Sequence, residues 1–470
     1  MKPYKYEIFT SVIEEQIRNG AVKENDRLPS VREIRKTYRL STSSVQSGFE
    51  YLLIRGLIKS SPRSGYFVAA QTQNREHRKT DRLPPVVRNE AFMKNMMLTS
   101  KRISEAGFFN AAAPGDLLIP QKLILRTMQE VIREKGASLL RYYPSNGLEP
   151  LRYQIAKQMN RYGCLLNPDE LIITDGALQA LTIALKSVTK PGDIVAVDSP
   201  CVFSVLEVIT NLELKVVEIP VSCDSGFDLE SFRTACEEND IRALVVTPNF
   251  HNPTGTLMSD STKKDLLGIA ENYRVSIIEN DMYSDLYFGE KRPCSIKSFD
   301  TKGLVMMYSS FSKTLAPGIR LGWLYAGDLY SKAERVKFSL GRSVSPVYQE
   351  LILKLLQGSS YERHLRTFRR KLNDQAVQLS GVLEKYFPSG SCFYKPEGGY
   401  SIWAQLPEKT DMELFYQYCE KHGIMFTPGE TFSFSGSYGH YFRIVFSERI
   451  TAESILLLES AGRKAKELLL

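Results

Sequence analysis

Ser310-Ser-Phe-Ser-Lys313, with Arg320 seven residues further on, is the stretch whose residue types and spacing point most directly to chemistry. A lysine amine condenses with an aldehyde once its pKa is lowered. Lysines are common, so Lys313 takes its meaning from its neighbours. Ser310, Ser312 and Arg320 are spaced to hold a phosphate, for which arginine is a strong partner. Gly176-Ala177 follows an apolar run and opens a helix, where free backbone N–H groups suit the same phosphate. Pro248-Asn-Phe-His-Asn-Pro-Thr-Gly255 is a turn cluster at the end of another apolar run. There Asn252 can donate its amide to a phenolate oxygen, and Tyr283 can bond the same atom. Arg443, inside Tyr441-Phe-Arg-Ile-Val-Phe446, is a charge within an apolar strand. A buried arginine requires an anion, either a ligand carboxylate or the partner in a structural salt bridge.

The elements that must position these groups are legible as short apolar runs. Leu171–Thr174, Ile194–Val197, Ala243–Thr247, Val275–Ile278 and Leu304–Tyr308 read as strands separated by helical stretches. That alternation predicts an α/β domain with a mixed, mostly parallel sheet, its functional residues in loops at the strand ends.

The first 70 residues read differently. Tyr6, Phe9, Ile13 and Ile17 recur at three- and four-residue steps, one apolar helix face, closed by Asn19-Gly20. Ser30 with Glu33 forms a capping box for a second, short helix. Ser41-Thr-Ser-Ser44 caps a third, which turns Val45, Phe49, Leu52 and Leu53 inward and stops at Gly56. Leu57–Val68 then reads as two short strands around a turn. Three helices and a hairpin make a winged helix-turn-helix, which places the N-terminal end of its third helix at the bases of the major groove. This stretch carries 12 Lys/Arg against 7 Asp/Glu, so much of the net charge of +8 lies here, as a polyanion partner requires. Ser41 can cap its helix, contact DNA, or do both.

Residues 71–95 are polar and basic, with Pro84-Pro85 near their end, and read as a flexible tether. No apolar run approaches the roughly 20 residues of a membrane helix, and the first residues lack a signal core. A cytoplasmic location is therefore expected. Seven cysteines, an odd number without a C-x-x-C pair, are expected to be reduced. The scattered histidines give no metal-ligand spacing, and no metal site is expected.

Three resemblances bear on these readings. Arg27-Leu-Pro-Ser-Val-Arg-Glu33, Ser41-Thr-Ser-Ser-Val45, Gly56-Leu-Ile58 and Ser64-Gly65 resemble the GntR family of bacterial regulators. The resemblance implies DNA contacts from Arg32, Ser41, Thr42, Ser43 and Gln46, and minor-groove approach at Gly65. Many relatives carry arginine where this chain has Thr42 and Gln46, which alters the expected base code. Glutamine can pair with adenine and threonine can touch a thymine methyl. Over roughly residues 110–460 the ordered set Tyr142 with Gly147, Gly176-Ala177, Asn252-Pro-Thr-Gly255, Tyr283, Lys313, Arg320 and Arg443 resembles the fold-type I aminotransferases of class I/II. That resemblance implies a pyridoxal 5′-phosphate cofactor bound as a Schiff base on Lys313, with a small C-terminal α+β subdomain at about 365–470. It also implies a homodimer whose partner supplies Tyr142. The chain as a whole, with domains at 1–70 and 96–470, resembles the MocR subfamily of GntR regulators. In that subfamily the aminotransferase-like domain senses an amine, an amino acid or the cofactor, and the dimers are often head-to-tail.

Two positions depart from the aminotransferase pattern. An aspartate normally faces the cofactor's pyridine nitrogen, three residues before the tyrosine; that register gives Asn280. Asp281 is one residue on, on the opposite face of a regular strand, unless a bulge restores it. The ring-stacking aromatic normally lies two residues after the proline of Asp198-Ser-Pro-Cys-Val-Phe203; that position is Val202, with Phe203 next to it. Both departures favour a DNA-binding regulator that senses a small amine or amino acid over a working aminotransferase with a DNA-binding appendage. A domain that has lost its cofactor is a third reading.

Overall fold

The computed structural model describes residues 7–18, 21–23, 25–54, 57–61, 65–68, 86–88 and 109–469. Tyr6, Asn19-Gly20, Gly56, Ser64, the side chains of Ser43 and Leu53, and most of the tether lie outside them. The chain divides into two compact units, residues 1–82 and 83–470.

In the first unit, α1 (Glu7–Arg18), α2 (Val31–Tyr38) and α3 (Thr42–Ile54) precede β1 (Ile58–Ser61) and β2 (Gly65–Val68). The strands pair antiparallel, Ile58 opposite Val68 and Ser61 opposite Gly65. Phe9, Ile13, Ile17, Ile34, Val45, Phe49 and Leu52 form one buried core, so the three-and-four spacing does place one face of each helix inward. The capping box is formed: Glu33 N donates to Ser30 Oγ at 3.3 Å and Ser30 N to Glu33 Oε2 at 2.7 Å. Ser41 Oγ accepts from Ser44 N at 3.1 Å and so caps α3. Asp26–Leu28 adds backbone hydrogen bonds to β2, through Leu28 N to Tyr66 O and Val68 N to Asp26 O.

The second unit opens with α4 (Gln121–Lys135) and α5 (Glu149–Arg161). β3 (Leu171–Thr174), α6 (Ala177–Val188), β4 (Ile194–Ser199), α7 (Phe203–Asn211), β5 (Lys215–Ser222) and β6 (Gly226–Phe227) follow. Next come α8 (Leu229–Glu238), β7 (Ile241–Val246), α9 (Asp260–Tyr273), β8 (Ser276–Asn280), β9 (Val305–Ser310) and β10 (Gly322–Tyr325). The eight strands lie in the order β3-β10-β9-β8-β7-β4-β5-β6. The inner run from β9 to β5 is parallel, and β10 is antiparallel to both its neighbours. Their near-continuous burial is what a sheet covered on both faces requires. Because β4, β7, β8 and β9 run the same way, Asp198, Thr247, Asn280 and Ser310 arrive at one edge of the sheet.

Helices α10 (Tyr330–Leu340), α11 (Pro346–Gln357) and α12 (Ser360–Tyr386) lead to a four-stranded antiparallel sheet. Its strands are β11 (Cys392–Phe393), β12 (Ser401–Gln405), β13 (Thr427–Pro428) and β14 (Tyr441–Val445), in the order β11-β12-β14-β13. With α13 (Met412–Lys421) and α14 (Ala452–Glu467) it forms the small α+β part; a boundary at 365 falls inside α12.

The tether reading needs one correction. Within 71–95, residues 86–88 are not a free chain. Arg88 exchanges backbone hydrogen bonds with Val216 of β5 at 2.9 and 3.0 Å, and Val87 packs on the core beneath. Open backbone groups on β5 and one apolar side chain outweigh a polar composition. None of the seven cysteines, all among the described residues, forms a disulfide.

Candidate functional site

The site lies where β3, β7, β8 and β9 end and β10 begins. Gly322 is what brings three of them together: a Cβ on it would lie 2.7 Å from Gly176 C and 2.8 Å from Ser309 O. Only glycine permits that approach, and it puts the start of α6 beside the end of β9. Gly176 caps α6 at φ +79°, and a Cβ there would lie 2.8 Å from an Arg320 Nη. Ser310 Oγ is 3.0 Å from Ser312 Oγ and accepts from Ser312 N at 3.1 Å. The start of α6 at Gly176 thus lies beside Arg320, and the Ser310 and Ser312 hydroxyls meet at the end of β9. Helix N–H groups, hydroxyls and a guanidinium are the groups that bind phosphate.

Lys313 is partly buried beside it and donates to the Ala112 carbonyl. Burial first, then the charges of Arg443 and Arg320, lower its pKa to about 8. At neutral pH roughly a tenth of such amines are uncharged, about 300-fold more than at 10.5. The Lys313 carbonyl accepts from Tyr400 OH, and Tyr400 meets Tyr283 edge-on at 5.9 Å.

Asn252, Tyr283 and Arg443 form a hydrogen-bonded chain. Asn252 donates Nδ2 to Tyr283 OH at 3.1 Å and accepts at Oδ1 from Arg443 Nη1 at 3.0 Å. Burial raises the Tyr283 pKa, against the opposing influence of Arg443 and Asn252. Arg443 is 3% exposed. Its Nη2 donates to Asn110 O at 2.9 Å and Thr427 Oγ1 at 3.2 Å, while its Nε is buried with no hydrogen-bond partner. Burial lowers even this guanidinium to about 10. Of the two readings of Arg443, the structural salt bridge is not formed: its protein partners are an amide, a carbonyl and a hydroxyl, all neutral. Among the described residues, Lys313, Arg320 and Arg443 therefore converge without a carboxylate, an arrangement that suits anions.

Asn280 and Asp281 take different directions. Asn280, 6% exposed, donates Nδ2 to Thr247 Oγ1 at 3.2 Å and accepts from Met282 N at 3.2 Å. Asp281 accepts from Ser284 Oγ and pairs with Arg292, which also holds Asp285 at 2.8 Å. No bulge turns Asp281 back; it belongs to a buried ion-pair cluster. Val202 caps α7, and Phe203 packs on Phe432 at 5.9 Å, beneath Arg443. Tyr142 stands apart: it is 77% exposed and lies over Arg342.

Sequence reasoning missed the segment Asn110–Ala112, whose carbonyls meet Arg443, Ser447 and Lys313. Carbonyls leave no trace in residue type. It also missed Thr427, Thr247 and Tyr400; the Gly398-Gly399 pair before Tyr400 was the available signal.

In the first unit, Arg32, Ser41, Thr42 and Gln46 are exposed, and Thr42 and Gln46 are four residues apart on α3, away from Val45 and Phe49. Gly65 opens β2 at φ +105°.

The fold is that of an aminotransferase-like domain with a helix-turn-helix unit ahead of it in the chain. Residues 114–455 match the family described as aminotransferase class I and II, and residues 7–68 match the gntR family of bacterial regulatory proteins. The chain belongs to the class I and II aminotransferase family, in the MocR arrangement that places a GntR helix-turn-helix before that domain. It is similar to the HTH-type transcriptional regulators YdcR and YjiR of Escherichia coli (strain K12). YdcR is 33% identical, with 93% of this chain and 94% of that one covered; YjiR is 31% identical, with 94% of each covered. Among solved structures it is similar to Pyrococcus horikoshii kynurenine aminotransferase in complex with PMP, at TM-score 0.75 and 27% identity, over 80% of this chain and 95% of that one. The chain is thus a transcription regulator fused to an aminotransferase-like domain, and its fold indicates pyridoxal phosphate as cofactor. No helix among the described residues is long and apolar enough to cross a membrane.

Proposed function

We propose that this chain is a cytoplasmic regulator that binds operator DNA through α3 and holds pyridoxal phosphate on Lys313, using it to sense an amino acid, an amine or the cofactor itself. The observation that carries this reading is the convergence of Lys313, Arg320 and Arg443 with no carboxylate beside them among the described residues. The residues suit the cofactor, because a Cβ would fill the Gly176 cradle and Arg443 Nε is a buried orphan. When bound, pyridoxal phosphate supplies an electron-poor aldehyde that condenses with amines. Gly176, Ala177, Ser310, Ser312 and Arg320 hold the phosphate. Asn252 and Tyr283 donate to the phenolate oxygen. Lys313 offers an amine with a lowered pKa, and Ala112 O receives its proton-bearing form. Asn280 meets the ring nitrogen, and Arg443 takes the effector's carboxylate.

Arg32, Ser41, Thr42, Ser43, Gln46 and Gly65 meet DNA. The working unit is a homodimer, head-to-tail in the subfamily's manner. Leu125, Ile132, Leu140 and Tyr142, 51 to 90% exposed, form part of its interface, and Tyr142 reaches the partner's cofactor. The domains are residues 1–70 and 96–470, joined by a tether that is anchored at 86–88. Effector binding at Arg443 acts through the small subdomain on the DNA-binding units, which requires that the two arrangements differ in effector affinity.

The intact lysine and Arg443 support a second reading, a working aminotransferase. DNA from upstream of the protein's own gene is titrated with and without cofactor and then with amino acids, while the absorption spectrum is recorded. Ligand-dependent DNA affinity supports the sensor. Spectral conversion at constant DNA affinity supports the enzyme.

A further inference from the structure

The ring of pyridoxal phosphate carries its nitrogen opposite the aldehyde-bearing carbon, with the phenol oxygen and the phosphate arm on either side of that carbon. Once Lys313, the Gly176 cradle and the Asn252–Tyr283 pair have taken those three groups, the nitrogen falls to the polar groups where β7 and β8 end. These are Thr247 and Asn280, joined by a 3.2 Å hydrogen bond.

The orientation of the Asn280 amide is fixed by its neighbours. Met282 N can only donate, so the atom 3.2 Å from it is the oxygen Oδ1. The other end is therefore Nδ2, one of whose hydrogens goes to Thr247 Oγ1. Its second N–H has no acceptor among the described residues, and Thr247 Oγ1, already accepting, has its own hydrogen to give. Both groups offered at this point are donors. The nearby carboxylates are occupied elsewhere. Asp281 is held by Ser284 and Arg292. Asp198 accepts from Thr247 N at 2.7 Å and lies 3.2 Å from His251 Nε2, behind Thr247.

We infer that Asn280 and Thr247 present hydrogen-bond donors to the ring nitrogen and so keep the bound cofactor's pyridine unprotonated. The inference rests on the cofactor reading above and sharpens it. An uncharged ring withdraws electrons weakly, so Cα–H loss from a bound amino acid goes unassisted. The site then retains amines instead of converting them, as a sensor requires.

The test is nitrogen NMR of the full-length protein loaded with ring-15N pyridoxal phosphate, with borohydride fixation on Lys313 as a measure of occupancy. The expected resonance is at the unprotonated-pyridine position. Asn280→Asp should move it to the pyridinium position and speed deuterium exchange at the Cα of a bound amino acid. A retained label at the pyridinium position in the wild type overturns the inference alone. Label that is neither retained nor fixed on Lys313 overturns the cofactor reading, and the inference with it. The wild-type spectrum decides the matter even if the aspartate variant fails to fold.

Discussion

Replacing Lys313 with methionine should make the cofactor-free protein more stable at neutral pH, although it destroys the cofactor site. Burial and the charges of Arg443 and Arg320 lower the amine from 10.5 to about 8. At about 1.4 kcal/mol per unit, the protonated amine disfavours the folded state by roughly 3 kcal/mol. Because the folded pKa is the lower one, this penalty is complete below about pH 8. It fades as the pH rises through 10.5, where the unfolded chain also loses the proton. Methionine keeps the length and the apolar stem and gives up the bond to Ala112 O, a loss of about 1 kcal/mol. The variant should therefore gain about 2 kcal/mol at pH 7 and almost nothing at pH 10. Urea unfolding followed by tryptophan fluorescence measures this, since Trp323 and Trp403, the only tryptophans, both lie in the second unit. Inorganic phosphate should narrow the gap by neutralising the same cluster in the wild type. A variant less stable than wild type at pH 7, or a gain that is the same at both pH values, refutes the electrostatic argument.

Three further outcomes are expected. Arg443→Gln should leave the cofactor's absorption in place but weaken carboxylate-bearing effectors by about 1.5–3 kcal/mol, the range for a hydrogen bond to a charged group; titration with an amino acid and with its decarboxylated amine checks this, because only the former should weaken. Ser30→Ala should remove the capping box of α2 and cost the first unit about 1 kcal/mol, seen in its thermal unfolding, with the second unit's transition unmoved. Gln46→Ala should lower operator affinity by about 1–3 kcal/mol and relax preference at one base pair without changing the salt slope; a uniform loss on every sequence would reassign Gln46 to the phosphates.

Much of the architecture is local and so was open to sequence reading. β3 falls on Leu171–Thr174 as the apolar run predicts, and β4, β7, β8 and β9 overlap their predicted runs because buried parallel strands are continuously apolar. The capping box at Ser30 and Glu33 lies within four residues, so its geometry follows from its letters. β10 was hidden, because Gly322–Tyr325 is short and its antiparallel pairing with β3 depends on residues 148 to 154 positions away. The anchored tether escaped for the same reason: Val87 and Arg88 are unremarkable until β5 offers an edge.

By itself the sequence determined which groups could react, in what order they occur, and that a winged helix precedes them. Those facts depend on residue type and short spacing. The tertiary structure alone decided which charges are left over. Whether Arg443 has a carboxylate partner among the described residues, whether Asp281 or Asn280 is tied into an ion-pair cluster, and which end of the Asn280 amide carries hydrogens all depend on strand-end neighbours far apart in the chain. Desolvation and hydrogen-bond direction are properties of that neighbourhood, and no single residue carries them.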